Sequence, residues 1–443
     1  MRSCPSAGAG AAAMGRDRIR ILVVAYRFPP QGGGGVQRIA KLVKHWSREG
    51  AEIAVLAGPA GGFKLEDATL WGEIPDQVPV RHVADPGLSH RLRRSPAGRR
   101  PFGRVPSRPL TAAQWLLFRL CLPDLSGAWF WPASREGRRL CRSFRPQIIF
   151  VSGPPWTPLL VARGLSRGCG AKLAVDYRDP WTVRYLPVAA RGLSRLLGPA
   201  LERWVLREAG AVTFAHRAII PGLRHWISPA ARRLWAPNGY DPEDFSGGPG
   251  PAEAGNRFTL TYTGGFFSWR SPRVLFAVLE EMLRDGRLDP ERFRLVLAGS
   301  VAGARRHIAP GGRLAAATRE LGYLPHEESV RLLTRSTVNL LLEGELGGIN
   351  RHTPGKFYEL LYAGRPVLVL CPEGVTTQLA RRAGGCWIAP PADPALIGRR
   401  LEELFSRWSR DEELSGPDRS RLRFYDRSHQ AQRILRLLMD LAE

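Results

Sequence analysis

Two segments of this chain, Ile19–Tyr26 (IRILVVAY), apart from Arg20 near its start, and Val367–Leu370 (VLVL), are continuously apolar and do not alternate. A strand with that pattern is covered on both faces, as strands are in parallel sheets flanked by helices. The first of them runs into PPQGGGGVQR (Pro29–Arg38), then into the helical pattern IAKLVKHWSREG with a stop at Gly50, then into a second strand, AEIAVLAG. Strand, glycine loop, helix and strand in that order open a parallel, doubly wound α/β sheet. Further strands are predicted at 147–153 (QIIFVSG), 171–177 (AKLAVDY) and 211–216 (AVTFAH).

The pattern then starts again. Residues 246–256 (SGGPGPAEAGN) have the composition of a linker. Beyond them FTLTYTGG is a strand ending in a glycine turn, SPRVLFAVLEEMLRDG an amphipathic helix, and FRLVLAGS, VNLLLEGE, VLVL and CWIAP are strands. The sequence therefore predicts an α/β protein of two doubly wound, Rossmann-like domains, residues 17–245 and 257–425, facing each other across a cleft. A C-terminal helix, 426–443, is expected to cross back to the first domain. Residues 1–16 read as a disordered leader, with Met14 an alternative start. Within the first domain, 88–131 is an insertion. Residues 88–109 are basic and rich in Pro and Gly, and Trp115, Phe118, Trp129, Phe130 and Trp131 follow. Such a segment either touches an anionic membrane surface or packs its aromatics on its own domain.

At 443 residues the chain is long enough for two cores. Its net charge of +25 comes from 65 basic against 40 acidic residues, and favours anionic partners. The aromatics do not interleave with the basic run and no nucleic-acid module is present, which excludes nucleic acid as the partner. The six cysteines are scattered, without a CxxC pair, as expected of a reducing cytoplasm and not of a zinc site. No apolar run is long enough to span a bilayer.

Five segments carry candidate chemistry. The Gly34–Gly35 backbone can approach an anion closely and donate its amides, and Arg38, in the first turn or two of the helix that follows, is a candidate to face the cleft. DYRDPW (Asp176–Trp181) lies at the C-terminal end of a strand, where open α/β sheets bind ligands. There Arg178 and Asp179 are candidates to orient hydroxyls or act as a base, against a structural ion pair at a turn. APNGYDPEDF (Ala236–Phe245) is rich in turn residues. In YTGGFFSWR, Gly264 opens a turn and Arg270 stands where a phosphate would be held. Finally, in RHTPGKFYELLYAGRPVLVL, Thr353 suits an N-cap and Pro354 a first helical position, and Gly364 and Pro366 stop the helix. Lys356 beside the helix N-terminus suits a diphosphate and Glu359 suits ribose hydroxyls, unless the two are a surface pair on one helix face.

In this order these motifs resemble the family 4 glycosyltransferases, which have the two-domain GT-B fold. The resemblance runs from about residue 19 to about 435 and rests on PPQGGGGVQR, APNGYDPEDF, YTGG, ELGYLPHEESVRLL (Glu320–Leu333) and PGKFYELLYAGRPVLVL. DYRDPW and LPDLSGAW (Leu122–Trp129) resemble a subgroup of cell-surface polysaccharide assembly. The resemblance implies a metal-independent, retaining transfer of a sugar from a nucleotide-sugar to a glycan or lipid-linked acceptor, with no cofactor beyond the donor. The site would lie in the cytoplasm or on the inner face of the plasma membrane. It places Glu359 on the ribose, Arg270 and Lys356 on the diphosphate, and the Gly34–Gly35 turn against phosphates or sugar.

The chain also departs from the family pattern. The family's Glu-x7-Glu pair has Arg351 in its first position, and Gly264-Gly265 replaces a common Gly-Arg. The family's first-domain histidine has no clear match near DYRDPW. A nucleotide-sugar epimerase or hydrolase, and a non-catalytic nucleotide-sugar-binding protein, therefore stand beside the transferase reading.

Overall fold

The computed structural model describes residues 18–62, 66–87, 122–182, 193–247, 257–266, 270–301, 303–344 and 350–443. The expected leader, most of the linker and the 88–121 part of the insertion lie outside the described residues.

The described residues form two wholly parallel sheets. The first contains β1 (Arg20–Ala25), β2 (Glu52–Ala57), β3 (Val80–His82), β4 (Ile148–Gly153), β5 (Lys172–Tyr177), β6 (Ala211–Phe214) and β7 (Arg232–Trp235), in the order β3-β2-β1-β4-β5-β6-β7. The second contains β8 (Phe258–Gly265), β9 (Phe293–Ser300), β10 (Thr318–Gly322), β11 (Val338–Leu342), β12 (Val367–Leu370) and β13 (Cys386–Ala389), in the order β10-β9-β8-β11-β12-β13. In both, strand order reverses beside the first strand. A crevice opens at the strands' C-terminal ends at such a switch point. Short, partly polar β3, β7 and β10 carry little of the apolar signal that marks the other strands, so the sequence did not announce them.

Side chains of β1, β2 and β4 alternate between two cores. Leu22, Val24, Leu56 and Val151 enter one, while Ile21, Val23, Val55 and Phe150 enter the other. The second of these cores is closed by the C-terminal helix Arg427–Ala442, whose Ala431, Ile434, Leu435 and Leu438 pack beside Ile39, Val43 and Trp46. Trp46 Nε1 donates to the Ala431 carbonyl at 2.8 Å. The last helix thus belongs to the first domain's packing.

The exchange is reciprocal. Tyr240 and Phe245, assigned from sequence to the first domain, are buried in a core of the second, with Tyr358, Leu361 and Tyr425. Tyr240 stacks on Tyr362 with ring centroids 3.9 Å apart. Gly239 explains the Asn-Gly pair: a Cβ there would sit 1.9 Å from the Tyr425 carbonyl oxygen, so only glycine lets the returning chain cross here. The 236–245 segment and the chain before the last helix therefore cross between the two domains.

Around this crossing lies a buried charge network. Arg38 donates through Nε and Nη2 to both oxygens of Asp176 (3.0 and 2.8 Å) and also to the carbonyls of Ala236 and Pro237 (3.0 and 3.2 Å). Asp176 is fully buried and also accepts from Ser152 and Thr213. Burial alone would raise its pKa, but the Arg38 charge and these hydrogen bonds hold the carboxyl below the usual range. Lys41, equally buried, pairs with Asp241 at 2.8 Å and Glu73 at 2.9 Å. Asp241 is held below the usual range in the same way, burial being outweighed by His45 and the Lys41 and Lys44 charges.

Breaking a buried ion pair strands the remaining charge, at a cost of about 3–5 kcal/mol. Arg38→Ala is expected to lower unfolding free energy by that amount in denaturant titration, and a change below about 1 kcal/mol would show the pair to be incidental. Asp176 and Asp241 have folded pKa values below an unfolded aspartate near 3.9. Their contribution is complete above that range and is lost as pH falls through the folded values. Acid unfolding of the wild type should therefore steepen below about pH 4, and Arg38→Ala should flatten it.

Candidate functional site

The glycine segment does not remain a loop. Its helix begins at Gly34, not near Ile39 as the apolar pattern suggested, and ends at Arg48, with Gly33 at the N-cap at φ 107°. The amides of Val36 and Gln37 bond to the Gly33 carbonyl. Those of Gly34 and Gly35 have no acceptor within the helix and point along its axis, as an anion site requires. A Cβ on Gly34 would meet nothing within 4 Å, whereas one on Gly35 would lie 2.0 Å from Arg178 Nη1. Gly34 is the open approach, and Gly35 is glycine because an arginine lies against it.

Arg178 and Asp179 follow β5, but DYRDPW is not one constellation. Asp176 is buried under Arg38 and takes no part in the cleft. Arg178 is buried as well, donating through Nε to the Gly153 carbonyl at 3.2 Å and through Nη2 to the Pro154 carbonyl. Burial lowers its guanidinium to about 10, with Asp179 opposing and Arg27 assisting. Asp179 is half-buried. Arg38, placed in the cleft from sequence, instead ties the first helix to β5 and to the crossing segment.

In the second domain the helix of the PGKFYELL motif runs from Gly355 to Tyr362, with Pro354 at the N-cap and no side-chain cap. Thr353, expected to cap it, is buried instead. Proline's fixed φ and extended ψ of 141° set the helix start one residue later. Gly364 takes φ 74° just past the helix end, as expected.

Lys356 and Glu359 share this helix but do not pair. Lys356 Nζ donates to the Thr263 carbonyl at 3.3 Å and lies 4.2 Å from the centre of the Tyr262 ring. It also fills the space beside Gly264, whose φ of 132° and absent side chain leave that room. Arg270 pairs with Glu343 at 2.5 Å beside the same tyrosine. Burial, then the Arg270 charge, lowers the Lys356 ammonium to about 7, with Glu343 opposing. Arg270, Lys356 and Gly264 are thus one cluster. Glu359 is buried at its edge and accepts from Arg427 at 3.4 Å, and the same Arg427 nitrogen donates to Gln37 of the glycine helix at 3.3 Å.

Three contacts bring the domains together. The His216 ring, following β6, lies 5.6 Å from His352. His326 accepts or donates at Nδ1 to Gln37 (2.7 Å), reaches Asp244 through Nε2 (3.1 Å) and donates its backbone amide to Asp67 (2.9 Å). The Tyr323 hydroxyl occupies the place of a Cβ on Gly32. Burial, then His352 and Arg38, lowers His216 to about 3. Burial lowers His352 as well, with Glu343 and Asp179 opposing and Arg270 assisting. Both imidazoles are neutral hydrogen-bonding groups near pH 7.

His216, His352, His326, Tyr262 and Glu343 were not singled out from sequence. His216 and Glu343 could have been, because each lies within two residues of the C-terminal end of a buried strand. Arg351, at the first position of the expected Glu-x7-Glu pair, is exposed. In the other motifs, Asp124 of LPDLSGAW accepts from the Trp156 and Thr157 amides and so starts the helix Thr157–Cys169. Trp129 is buried and donates to the Val83 carbonyl at 3.1 Å, whereas Trp131 is exposed. Among the described residues no helix is long and apolar enough to cross a membrane, and no group of three His, Cys, Asp or Glu is placed to hold a metal ion.

Residues 33–239 match the family model described as a glycosyl transferase 4-like domain. Solved structures share the whole architecture. Sucrose-phosphate synthase from Thermosynechococcus elongatus matches with a TM-score of 0.63 at 15% identity, over 96% of this chain and 99% of its own. Anabaena HepE in complex with UDP and glucose gives 0.62 at 14% identity, over 96% and 100%. The α,α-trehalose 6-phosphate synthase from Burkholderia multivorans gives 0.60 at 14%, over 96% and 99%. No curated protein sequence matches the chain. The chain is a two-domain protein of the GT-B glycosyltransferase fold.

The two glycines separate structure from site. Gly35→Ala must displace the Arg178 guanidinium and is expected to cost about 1–3 kcal/mol in thermal or denaturant unfolding. Gly34→Ala has open space and a helical backbone, so it should leave stability unchanged or raise it by about 0.4–1 kcal/mol. Equal effects of the two would contradict this placement.

Proposed function

We propose that the chain is a retaining, metal-independent glycosyltransferase that moves a sugar from a UDP-sugar to a hydroxyl of a glycan or lipid-linked acceptor. Its setting is the cytoplasmic side of cell-surface polysaccharide or glycolipid synthesis. The single observation that carries the reading is the cluster of Arg270 and Lys356 around Gly264 at the end of β8, with the glycine helix of the first domain starting on the uncapped amides of Gly34 and Gly35. Guanidinium, ammonium and helix N-terminus suit a diphosphate that gains charge as it leaves. UDP is the nucleotide because HepE, of like fold, was solved with UDP and glucose. Glu359 takes the ribose hydroxyls, exchanging Arg427 for the ligand. Asp179, the cleft-side carboxylate after β5, receives the acceptor hydroxyl, and Arg178 supports the glycine turn from below. Closure at His326 and at the His216–His352 contact excludes water and favours transfer over hydrolysis.

Transfer from UDP-sugars to lipid-linked or glycan acceptors is measured directly. Arg270→Ala and Glu359→Ala are each expected to lower it on the order of a hundredfold or more. Arg270→Ala also strands the buried Glu343 and should lower the unfolding midpoint, so transfer is compared at a temperature where both variants stay folded. Full activity in both would remove the site assignment. Sugar released to water at the same rate with and without acceptor would favour a hydrolase.

Lys356 gives a pH signature. Its folded pKa of about 7 means that it is partly neutral in the empty site, and a diphosphate stabilises the charged form. UDP affinity should be level below about pH 6 and fall by up to about tenfold per unit above 7, with proton uptake on binding. Calorimetry in two buffers of different ionisation enthalpy reads that uptake. Lys356→Met should weaken binding and abolish the slope.

A further inference from the structure

The two faces of the second sheet are not alike. On one face of β8 and β9, Leu260, Tyr262, Leu295 and Leu297 form a core with Leu275, Phe276 and Leu279 of the helix Arg273–Arg284 and with Ile397 and Leu401 of the helix Pro394–Ser409. The alternate residues of β8, β9 and β10 look the other way, as the period of two requires, and line a groove of about 960 Å³. Its floor holds Thr259, Thr261, Val296 and Leu321, and Leu324 before the helix His326–Arg335, Leu332 within it and Ser336 after it extend the lining. The groove lies toward the N-terminal ends of these strands, away from Gly264 and Glu343 at their C-terminal ends.

The rim is strongly basic. Six arginines line the groove against two glutamates, Glu291 and Glu328. Arg257, Arg319 and Arg331 are exposed. The Arg319 side chain makes no hydrogen bond or ion pair among the described residues. Arg331 has only an exposed partner one turn away, Glu327 at 2.7 Å, a pairing of little strength in water. A groove with a guanidinium rim, threonine and serine hydroxyls, and the aliphatic side chains of Val296, Leu321, Leu324 and Leu332 fits a ligand with both an acidic head and an apolar body. Guanidinium forks match phosphate oxygens, and the four aliphatic side chains give the adjoining carbons a surface to lie on.

We propose that this groove binds the headgroup and adjoining acyl carbons of an anionic phospholipid, so that the second domain seats the protein on an acidic membrane surface. The site is independent of the nucleotide cleft. Its test is co-sedimentation of the full chain with vesicles of phosphatidylglycerol and phosphatidylcholine, compared with phosphatidylcholine alone. The groove variant Arg257→Gln/Arg319→Gln/Arg331→Gln is set against a charge-matched control, Arg135→Gln/Arg138→Gln/Arg142→Gln, on the exposed side of the helix Phe130–Phe144.

The groove variant should lose acidic-vesicle binding on the order of a hundredfold, the control far less, since each basic group near such a surface contributes about a factor of five. UDP binding and the unfolding midpoint should be unchanged in both, which separates this result from failure of the transferase reading. Equal loss in the two variants, or retention in the groove variant, overturns the proposal. So does binding competed fully by soluble glycerol phosphate, or an oligonucleotide bound more tightly than the vesicles.

Discussion

Arg38 is the residue on which the cleft's geometry depends. One guanidinium reaches the first helix, the end of β5 and the chain at 236–237, through two carboxylate oxygens and two carbonyls. The helix that it fixes begins with Gly34, β5 leads directly into Arg178 and Asp179, and the 236–237 segment runs into the crossing between domains. A planar donor set is suited to this because its forks satisfy several acceptors in fixed directions, which a lysine ammonium cannot do. The desolvation cost of burying the pair is met by hydrogen bonds on every side, including Ser152 and Thr213 on Asp176. An arginine that looks from sequence like a cleft residue is thus the fastening that places the uncapped amides of the glycine helix.

The crossing links this fastening to the second domain. Tyr240 and Phe245 leave the first domain and bury in the second, while Arg427–Ala442 leaves the second and completes a core of the first. Each domain is therefore finished by the other's chain, and the two strands of connection run side by side at Tyr240 and Tyr425–Arg427. Arg427, at the start of the returning helix, also bonds the Gly239 carbonyl, Gln37 and Glu359. Glu359 is therefore tied through one side chain to the crossing between the domains.

The sequence revealed the buried strands and the two-domain plan because parallel strands covered on both faces leave an unbroken apolar record. β10 left none: its Thr318–Gly322 segment is polar and half open, at a sheet edge facing the arginine groove. The motifs were legible as positions but not as directions. Gly264, Arg270 and Lys356 come together as their spacing suggested, while Arg38 and Asp176 turn inward, which no one-dimensional pattern records. His216 and His352 are distant in sequence and meet only because one follows β6 and the other precedes the Gly355 helix. Thr353 lost its capping role to the proline after it, a local contest that composition alone does not decide.

The cleft also shows why a chain of net charge +25 does not simply present a positive well to its ligand. Arg270 is paired with Glu343, Arg178 is held by two carbonyls beneath Gly35, and Lys356 is partly neutral because burial and Arg270 both oppose its charge. In the empty state the cations at the glycine turn and the Gly355 helix are largely compensated, so the site does not accumulate unpaired charge that would force it open. In the function proposed above, the diphosphate supplies the missing negative charge. It competes with Glu343 for Arg270, recharges Lys356 and meets amides that already point at it. Attraction would then grow as the ligand arrives and as the leaving diphosphate gains charge, which places stabilisation late in the reaction, where it accelerates transfer instead of merely tightening the ground state.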